Sequence, residues 1–205
     1  MDLKTTDIQG GDVLLCYSRM TAKEETAVGT GYSHVAIALR DKRVLEAANE
    51  GVQVTSIESL LEEYDHIAVL RELKANELWN DSRLDSLDEF ASQAIGKPFN
   101  RTGLGKFPIR KESYRNDLME RVHGHFEGTT PEVSSDRGVY FCSELLVAAF
   151  IKVEIIEQSA AVLFTPETFS PSDIARDKAF GFFCGYLKCT SIYIVPDDDF
   201  FKCNI

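Results

Sequence analysis

The sequence predicts an α+β protein in which a mainly antiparallel sheet packs against helices. Short apolar or alternating segments, typical of strands, recur through residues 12–71. A helical pattern follows at residues 82–95, and a second one begins near residue 145. Residues 181–188 and 191–195 then have the composition of closing strands. A meandering sheet followed by helices that can cover it is typical of this class.

The segment at residues 33–39 shows the strand alternation most clearly. Val35, Ile37 and Leu39 lie on one predicted face, whereas His34 lies on the other face beside small alanines. Something bulky can therefore pack over this imidazole. The other early segments that we predict to be strands are residues 12–17, 44–48, 51–55 and 67–71.

Helix signals follow the strands. Ser56 can cap a short helix over residues 57–64. The helix at residues 82–95 ends at Gly96, and Pro98 prevents it from resuming. Its apolar face carries Leu84, Leu87, Phe90, Ala91 and Ala94. Further along the chain, short helical turns are predicted after Thr165-Pro166 and Ser170-Pro171.

Cys142 stands where the helix near residue 145 begins. The residues that share the predicted buried face of this helix are Leu145, Leu146, Ala149, Phe150 and Val153. The unpaired amides of a first helical turn, together with the positive end of the helix dipole, favour a thiolate. A free Cys beside Phe141 can also be a small core hydrophobe, so this segment alone leaves both interpretations open. The 5 cysteines are odd in number and scattered, which favours free thiols.

Residues 101–137 are rich in Gly, Arg and Glu, and their hydrophobic periodicity is weak. Weak periodicity predicts an irregular insertion. Long loops in a compact domain are usually functional, so the insertion is expected to act as a lid. A chain of 205 residues accommodates one domain with such an insertion. We predict a single catalytic domain over residues 1–205.

The composition limits the possible partners and locations. Hydrophobic residues at 44% and charged residues at 27% are typical of a soluble globular protein, and the net charge of −11 argues against nucleic-acid binding. No apolar run approaches the roughly 18 residues that span a bilayer, and the first residues lack a signal-peptide core. We expect a cytoplasmic protein by default. The alternative is delivery to the periplasm or another cell by a signal-independent secretion system, with an immunity or delivery partner.

A cysteine that attacks a carbonyl group needs an imidazole to accept its proton and a polar group to orient that imidazole. Of the 4 histidines, only His34 lies on a predicted strand beside small residues. His66 lies at a predicted turn. His123 and His125 lie in the polar insertion, where two ligands do not make a metal site. We predict no metal and no cofactor.

Several short motifs, taken in chain order, resemble a known enzyme family. They are Gly11-Asp12-Val13-Leu14-Leu15, Ser33-His34-Val35-Ala36-Ile37, Leu45-Glu46-Ala47, Gly51-Val52-Gln53-Val54, Ala94-Ile95-Gly96-Lys97-Pro98-Phe99 and Tyr140-Phe141-Cys142-Ser143-Glu144. Over residues 10–150 the chain resembles NlpC-type cysteine peptidases, except that the half with the histidine precedes the half with the cysteine. This order is typical of the circularly permuted, YiiX-like branch of the papain-like superfamily. The resemblance implies a permuted papain-like fold with its antiparallel sheet packed on the Cys142 helix.

The resemblance also implies roles for individual residues. It makes Cys142 the nucleophile, His34 the base and Glu46 the residue that orients His34. The chain departs from the family pattern at Phe141, where Asp is usual, and at Glu144, where Gly is common. Both departures fit the permuted branch better than they fit cell-wall enzymes proper.

A further departure concerns a hydroxyl group. Phe99 stands where the family often has a Tyr that serves the active site. Tyr32 or Tyr140 could supply this hydroxyl instead, and with Ser143 they are the candidates for oxyanion or substrate contacts. The Cys142 backbone amide is expected to be one oxyanion donor.

The third catalytic residue has an alternative. A two-residue turn at Asp41-Lys42 would place Glu46 on the face opposite His34. The same register pairs His34 with Asn49, whose amide is an acceptable orienting group. Glu46 can serve only if the hairpin contains a bulge or a different loop. The resemblance favours Glu46, and Asn49 is the alternative.

The predicted function is that of a cysteine hydrolase that cleaves an amide bond through an acyl-enzyme. The resemblance implies a peptide or peptide-like substrate, including the stem peptide of peptidoglycan. Relatives of the permuted fold also act on lipids, so a lipid-directed thiol acyltransferase or hydrolase is the first alternative. A catalytically inactive binding module is the second, and it is weakened because Cys142, His34 and a polar third residue are all present.

Overall fold

The computed structural model describes residues 1–18, 30–129 and 132–203, and its centre is an antiparallel sheet. The strands are β1 (Val13–Tyr17), β2 (Tyr32–Ala38), β3 (Arg43–Ala48), β4 (Gly51–Ser56), β5 (His66–Arg71) and β6 (Phe182–Lys188). They form one six-stranded sheet in the order β4-β3-β2-β1-β5-β6, and every neighbouring pair is antiparallel. The predicted α+β class and the meandering sheet are therefore confirmed.

Helices pack against the sheet. They are α1 (Ile57–Glu63), α2 (Ala75–Leu78), α3 (Asp81–Ala94), α4 (Arg101–Gly105), α5 (Phe107–Asn116), α6 (Leu118–Phe126), α7 (Cys142–Lys152), α8 (Pro171–Arg176) and α9 (Phe200–Cys203). Short 3-10 turns occur at Thr5–Asp7, Arg40–Lys42, Ala161–Leu163, Pro166–Thr168 and Lys178–Phe180. Within the described ranges, none of these helices has the length and apolar character that a membrane span requires.

Hydrophobic side chains pack on both faces of the sheet. On one face Val35 and Ile37 lie in the main cluster with α3 and α7, and the α7 residues from Ser143 to Ile151 are all buried. On the other face a smaller cluster joins Ala36 to Ile57 of α1. The alternation in β2 therefore separates two cores, as its period of two predicts. The Ser56 hydroxyl accepts a hydrogen bond from the Ser59 amide (3.1 Å), which confirms the predicted cap of α1.

The turn between β2 and β3 is not the simple two-residue turn. Arg40–Lys42 forms a 3-10 turn, and the Leu39 amide donates to the Arg43 carbonyl at 2.8 Å. Within the turn, Asp41 and Lys42 have φ values of 57° and 59°, which lie in the left-handed region. Asp adopts this conformation more readily than most residues, whereas Lys does so at some cost. The loop thus contains one residue more than alternation alone suggests.

This turn corrects the register expected for the hairpin. Ile37 pairs with Leu45, and Ala38 pairs with Val44. The pairing is shifted by one residue, so Glu46 lies on the same side of the sheet as His34. The hairpin therefore has the different loop that Glu46 requires in order to face His34.

Residues 101–137 are largely helical rather than irregular. The Asn100 side chain caps α4 by accepting a hydrogen bond from the Gly103 amide (2.8 Å), and α5 has Pro108 in its first turn. Only Gly103 and Gly124 are buried in α4, α5 and α6. These helices therefore lie mostly at the surface, where packing imposes little of the periodic pattern that sequence analysis depends on. Thr130 and Pro131 of this segment lie outside the described residues.

The prediction of a strand at residues 191–195 is wrong. In this segment Ile192 and Ile194 are 86% and 76% exposed. The Tyr193 hydroxyl lies 3.1 Å from His66 Nδ1, so this segment turns to place its tyrosine against β5 instead of pairing with a strand. An alternating pattern arises here from one anchored side chain between two exposed ones.

His66 and Asp199 form part of a buried polar cluster that sequence patterns did not indicate. His66 lies on β5 rather than at a turn, and its Nε2 is 3.2 Å from Asp199 Oδ2. Asp199 also accepts hydrogen bonds from the hydroxyls of Tyr32 (2.8 Å) and Tyr186 (2.5 Å). Asp199, at 3% exposure, is thus an anchor for the last residues of the chain.

Candidate active site

Cys142 is the first residue of α7, and its position is held by the helix itself. Phe141 precedes the helix in an extended conformation, and its amide donates to the Glu144 carboxylate at 3.1 Å. This contact is one half of a capping box. Because α7 is buried along most of its length, its amino-terminal end cannot shift without disturbing the core. The positive end of the helix dipole is thereby fixed beside the Cys142 sulfur.

The sheet opens where the sulfur lies. β2 and β3 pair only at Ile37–Leu45 and Ala38–Val44, whereas β3 and β4 pair along their whole length. Beyond Ile37 the Val35 amide donates to the Cys142 thiol, and the Ser143 amide donates to it as well. The parting of two strands therefore gives the sulfur a backbone donor that a continuous ladder would have used.

The His34 imidazole connects Cys142 to Glu46. His34 Nε2 lies 2.7 Å from Glu46 Oε2, and the imidazole also forms a hydrogen bond with the Cys142 side chain. With Nε2 on the carboxylate, Nδ1 is the nitrogen that remains for the sulfur. Glu46 Oε1 accepts a hydrogen bond from Nε2 of the Gln53 side chain (2.9 Å). The ring of Tyr64 stacks on His34, and the two ring centroids are 5.6 Å apart. Both contacts restrict rotation of the groups that they touch.

The electrostatics of the three groups favour an ion pair. Burial raises the pKa of Cys142, but the His34 hydrogen bond and charge and the two amides lower it below its ordinary value. Burial lowers the pKa of His34, but the hydrogen bonds to Cys142 and Glu46 outweigh burial and raise it to about 10. Burial likewise opposes ionisation of Glu46, and His34 and Gln53 lower its pKa nonetheless. The arrangement stabilises a thiolate beside an imidazolium.

A cavity of about 450 Å³ opens onto Cys142 and His34. We call it the active-site cavity. Its apolar lining consists mainly of Phe99, Leu104, Phe107, Phe141, Phe169 and Pro171. Polar lining comes from Ser33, Asn49, Glu63, Tyr64, Ser143 and Ser170. A concave, largely apolar site with a few polar groups at one end is the usual form of a small-ligand pocket.

Glu144 links the catalytic helix to the segment before it. Its Oε2 accepts a hydrogen bond from the Asn100 side chain (2.9 Å), and its Oε1 lies 2.8 Å from Arg137 Nε. Arg137 also pairs with Glu167 at 2.9 Å. Burial raises the pKa of Glu144, and Asn100 and Arg137 oppose this effect. Glu144, which stands where the family commonly has Gly, thus supplies a buried carboxylate that links α7 to Asn100 and to Arg137.

The structure brings Cys142, His34 and Glu46 together and places the other predicted residues elsewhere or at the rim. Asn49 lies in the turn between β3 and β4, where its carbonyl accepts a hydrogen bond from Arg101 (3.2 Å). Asn49 lines the active-site cavity, but the hydrogen bond of His34 Nε2 goes to Glu46.

Among the predicted hydroxyl groups, only that of Ser143 belongs to a residue of the cavity wall, and it donates to the Phe169 carbonyl at 2.7 Å. The Tyr32 hydroxyl donates a hydrogen bond to Asp199, and the Tyr140 hydroxyl donates to the Ser135 carbonyl (2.9 Å). These two tyrosines are buried in the core, so their hydroxyls do not replace the one that Phe99 lacks.

Two contributors were not predicted. Gln53 faces Glu46 directly across the β3–β4 ladder, and the pairing of this hairpin could have indicated it. Tyr64 follows the last residue of α1, and no sequence signal relates it to β2. In the described part of the chain, no three His, Cys, Asp or Glu side chains come together as metal ligands would.

The permuted order of histidine and cysteine in this site agrees with the family to which the chain belongs. A model of that family, described as the permuted papain-like amidase enzymes YaeF/YiiX of the C92 family, matches residues 7–114. The chain is therefore a member of a family of papain-like amidase and peptidase enzymes, and the resemblance seen in its motifs is confirmed. The match includes His34 and Glu46 and ends before Cys142.

The chain is also similar to individual proteins. The probable lipoprotein peptidase YaeF of Escherichia coli (strain K12) is 26% identical over 163 residues, which are 74% of this chain and 58% of that protein. A crystal structure of metalloprotein yiiX from Escherichia coli O157:H7 is 18% identical, covers 69% of this chain and 64% of that one, and has a TM-score of 0.43. The chain thus spans less than two thirds of the length of either protein.

Proposed function

We propose that the protein is a cysteine hydrolase that cleaves an amide bond through Cys142, His34 and Glu46. The observation that carries this proposal is the continuous contact from Glu46 Oε2 through the His34 imidazole to a thiol at a helix amino terminus. Such a contact supplies a nucleophile, a proton carrier and an orienting group in one line. Family membership supports the same class of chemistry.

The proposed reaction has two halves. The Cys142 thiolate attacks the carbonyl carbon, and the oxyanion that forms accepts hydrogen bonds from amides of the first turn of α7, including that of Cys142. The His34 imidazolium gives its proton to the leaving amine, and an acyl-enzyme remains. Neutral His34 then takes a proton from water, which attacks the thioester and releases the acid. Glu46 stabilises the positive charge of His34 and keeps its ring in place throughout.

The apolar lining of the active-site cavity favours a substrate with an apolar group next to the scissile bond. Phe99, Leu104 and Phe107 are part of this lining, and they belong to the start of residues 101–137 or adjoin it. We therefore propose that this segment acts as a lid that sets specificity within the single catalytic domain. Peptides and peptide-like amides, including peptidoglycan stem peptides, fit this description. An immunity or delivery partner stays a prediction.

The same apolar lining favours one other candidate. A lipid acyl chain would also fill a cavity lined by aromatic and aliphatic side chains, so a lipid-directed hydrolase or acyltransferase with the same residues is the second proposal.

A panel of substrates distinguishes these activities. The wild-type protein is incubated with peptides, peptidoglycan fragments and phospholipids, and products are identified by mass spectrometry. Cys142→Ala is the test variant, and Cys184→Ala, which removes a thiol on β6, is the matched control. We expect amide cleavage and an acylated Cys142 in the wild type, no cleavage with Cys142→Ala, and unchanged cleavage with the control. Cleavage of phospholipids alone would favour the second proposal, and equal turnover by Cys142→Ala would contradict both.

A further inference from the structure

A second cavity of about 520 Å³ carries most of its lining charge as cations. We call it the cationic groove. Its charged lining consists of Lys111, Arg115, Arg176 and Lys178, with Asp173 and Asp177 as the carboxylates. The chain as a whole has a net charge of −11, so cations around one cavity run against the overall composition. Charge of one sign that converges on a concave surface favours a ligand of the opposite sign.

The cationic groove adjoins the active-site cavity. Phe169 lines both cavities. In addition, Lys111 Nζ lies 5.4 Å from the centre of the Phe107 ring, and Phe107 lines the active-site cavity. Lys111 and Phe107 are one turn apart on α5, which corresponds to about 6 Å along the helix axis. The two cavities are therefore adjacent, and their separation is within the length of a small molecule.

The cations of the groove differ in the contacts that they make. Lys111 Nζ pairs with Asp173 at 2.6 Å, and Asp173 is further engaged by the Ser170 amide at 2.8 Å. In the described parts of the chain, Arg115, Arg176 and Lys178 form no ion pair within 4.0 Å. Arg176 and Lys178 lie instead over phenyl rings, at 5.7 and 5.3 Å from their centres. Their charges are thus available to a ligand.

We propose that the cationic groove binds an anionic group of the substrate, a carboxylate or a phosphate, while the active-site cavity holds an apolar group beside the scissile amide. This inference rests on the proposed amide hydrolysis and narrows its substrate class. The substrate is then an amphiphilic amide whose anion lies about one helical turn, roughly 6 Å, from its apolar group. Binding of the anion should weaken as salt screens the exposed arginines.

Protection of Cys142 from iodoacetamide tests the groove without requiring turnover. Three compounds with the same phenylalkyl chain are compared: a carboxylate (4-phenylbutyrate), a phosphate monoester of equal length, and the uncharged alcohol 4-phenylbutan-1-ol, which an amide hydrolase cannot cleave. We expect the better anion to protect Cys142 at about tenfold lower concentration than the alcohol, as charge-assisted hydrogen bonds predict. The order of the two anions identifies the preferred group.

Variants locate the effect. Arg115→Gln combined with Arg176→Gln, and separately Lys178→Gln, should reduce the advantage of the anion at least severalfold and leave protection by the uncharged alcohol unchanged. Lys74→Gln, which removes an exposed lysine paired with Glu77 (3.3 Å), is the matched control and should change neither value. Circular dichroism verifies that each variant is folded.

Equal protection by the three compounds, protection by none, or an anion advantage that survives all of the groove substitutions would overturn the proposal. These outcomes are distinct from failure of the proposed function. If no amide is hydrolysed in the substrate panel but the anion advantage is present and depends on Arg115 and Arg176, the groove stands and the amide hydrolysis does not.

Discussion

Glu46 is the side chain on which the orientation of His34 depends. One of its oxygens holds His34 Nε2 at 2.7 Å and the other accepts from Gln53 at 2.9 Å, so neither group can rotate alone. Tyr64 stacks on the imidazole within 4° of parallel and limits the remaining freedom of the ring. The carboxylate is nearly inaccessible to solvent, which strengthens its interaction with a positive imidazolium.

Replacement of this carboxylate should slow catalysis. Glu46→Gln keeps the shape of the side chain but removes the charge that stabilises protonated His34, so we expect kcat/KM to fall by about a hundredfold. Asn49→Ala is the matched control, because Asn49 lies at the cavity rim and its contact with Arg101 uses the backbone carbonyl. We expect it to change kcat/KM by less than about threefold. The opposite ranking of the two variants would show that Asn49 orients the imidazole.

At the residue scale, sequence motifs indicated the three side chains that the structure brings together. Strand alternation by itself placed Glu46 on the wrong face, because two left-handed residues, Asp41 and Lys42, lengthen the turn by one. Nothing in a sequence marks Lys42 for this conformation. Tyr64 was missed for a related reason: it approaches His34 through the path of the chain after α1, which a local pattern does not contain.

At the scale of elements, the start of α7 is where packing and chemistry meet. Glu144 accepts from the Phe141 amide and the Asn100 side chain and faces Arg137, while its carboxylate is fully buried. Helix and preceding segment are thus joined by one side chain, and the position of Cys142 depends on both. We infer that this carboxylate acts on Cys142 through the helix and is a positioning residue.

Glu144→Ala should therefore destabilise the fold. It leaves Arg137 and the Phe141 amide without their buried partner, and we expect the free energy of unfolding to fall by about 3 kcal/mol. Glu144→Gln should cost less, since its amide oxygen can still accept from Phe141. Urea unfolding measures both, with Glu112→Ala on the exposed side of α5 as the control. A loss no greater than that of Glu112→Ala would contradict the role given to Glu144.

The lid proposed for residues 101–137 leads to a separate prediction. Leu104→Ala removes apolar lining from the active-site cavity, so KM for amides with large apolar groups should rise roughly three- to tenfold. Ile109→Ala is a matched control on α5, because Ile109 is 73% exposed and does not line the cavity. The rate at which Cys142 reacts with iodoacetamide should be the same in both variants. A large fall in this rate with Leu104→Ala would mean that the segment supports the site itself.

Most strands and the capped helices could be predicted because each has a local signal. Ser56 and Ser170 cap α1 and α8 as their sequence context suggested. The helices of residues 101–126 carry few such signals beyond Asn100 and Pro108, since they bury only Gly103 and Gly124. The segment at residues 191–195 misleads prediction in the opposite way: its sequence alternates like a strand, but it is not paired with any described strand.

At the scale of the whole molecule, Asp199 connects residues 199–203 to the sheet through hydrogen bonds. It accepts hydrogen bonds from Tyr32 on β2, from Tyr186 on β6 and from the Phe201 amide, and it faces His66 on β5. A run of three aspartates suggests a solvated tail, and only the partners supplied by distant strands make one of the three a core residue. This is a property of the assembled fold that composition does not contain.

Asp199→Ala should accordingly lower the free energy of unfolding by about 2–3 kcal/mol, because it leaves two buried hydroxyls and an imidazole without an acceptor. Asp198→Ala is the adjacent control, and as an exposed substitution it should change stability by no more than about 0.5 kcal/mol. Urea unfolding monitored by fluorescence measures both. Equal effects of the two substitutions would show that the cluster around Asp199 does not stabilise the fold.

The pH dependence of alkylation at Cys142 tests the coupling of thiol and imidazole most directly. His34 and two amides lower the pKa of Cys142, so its reaction with iodoacetamide should already be fast below about pH 8.5, where an ordinary thiol is half ionised. In His34→Ala, burial still raises the pKa of Cys142 and the two amides still lower it, but the imidazolium is gone, so the midpoint of the reaction should move to higher pH than in the wild type. Peptide mass spectrometry follows all cysteines at once, with exposed Cys189 and Cys203 as internal references. A midpoint for Cys142 equal to that of the references, or unchanged by His34→Ala, would contradict the thiolate–imidazolium pair.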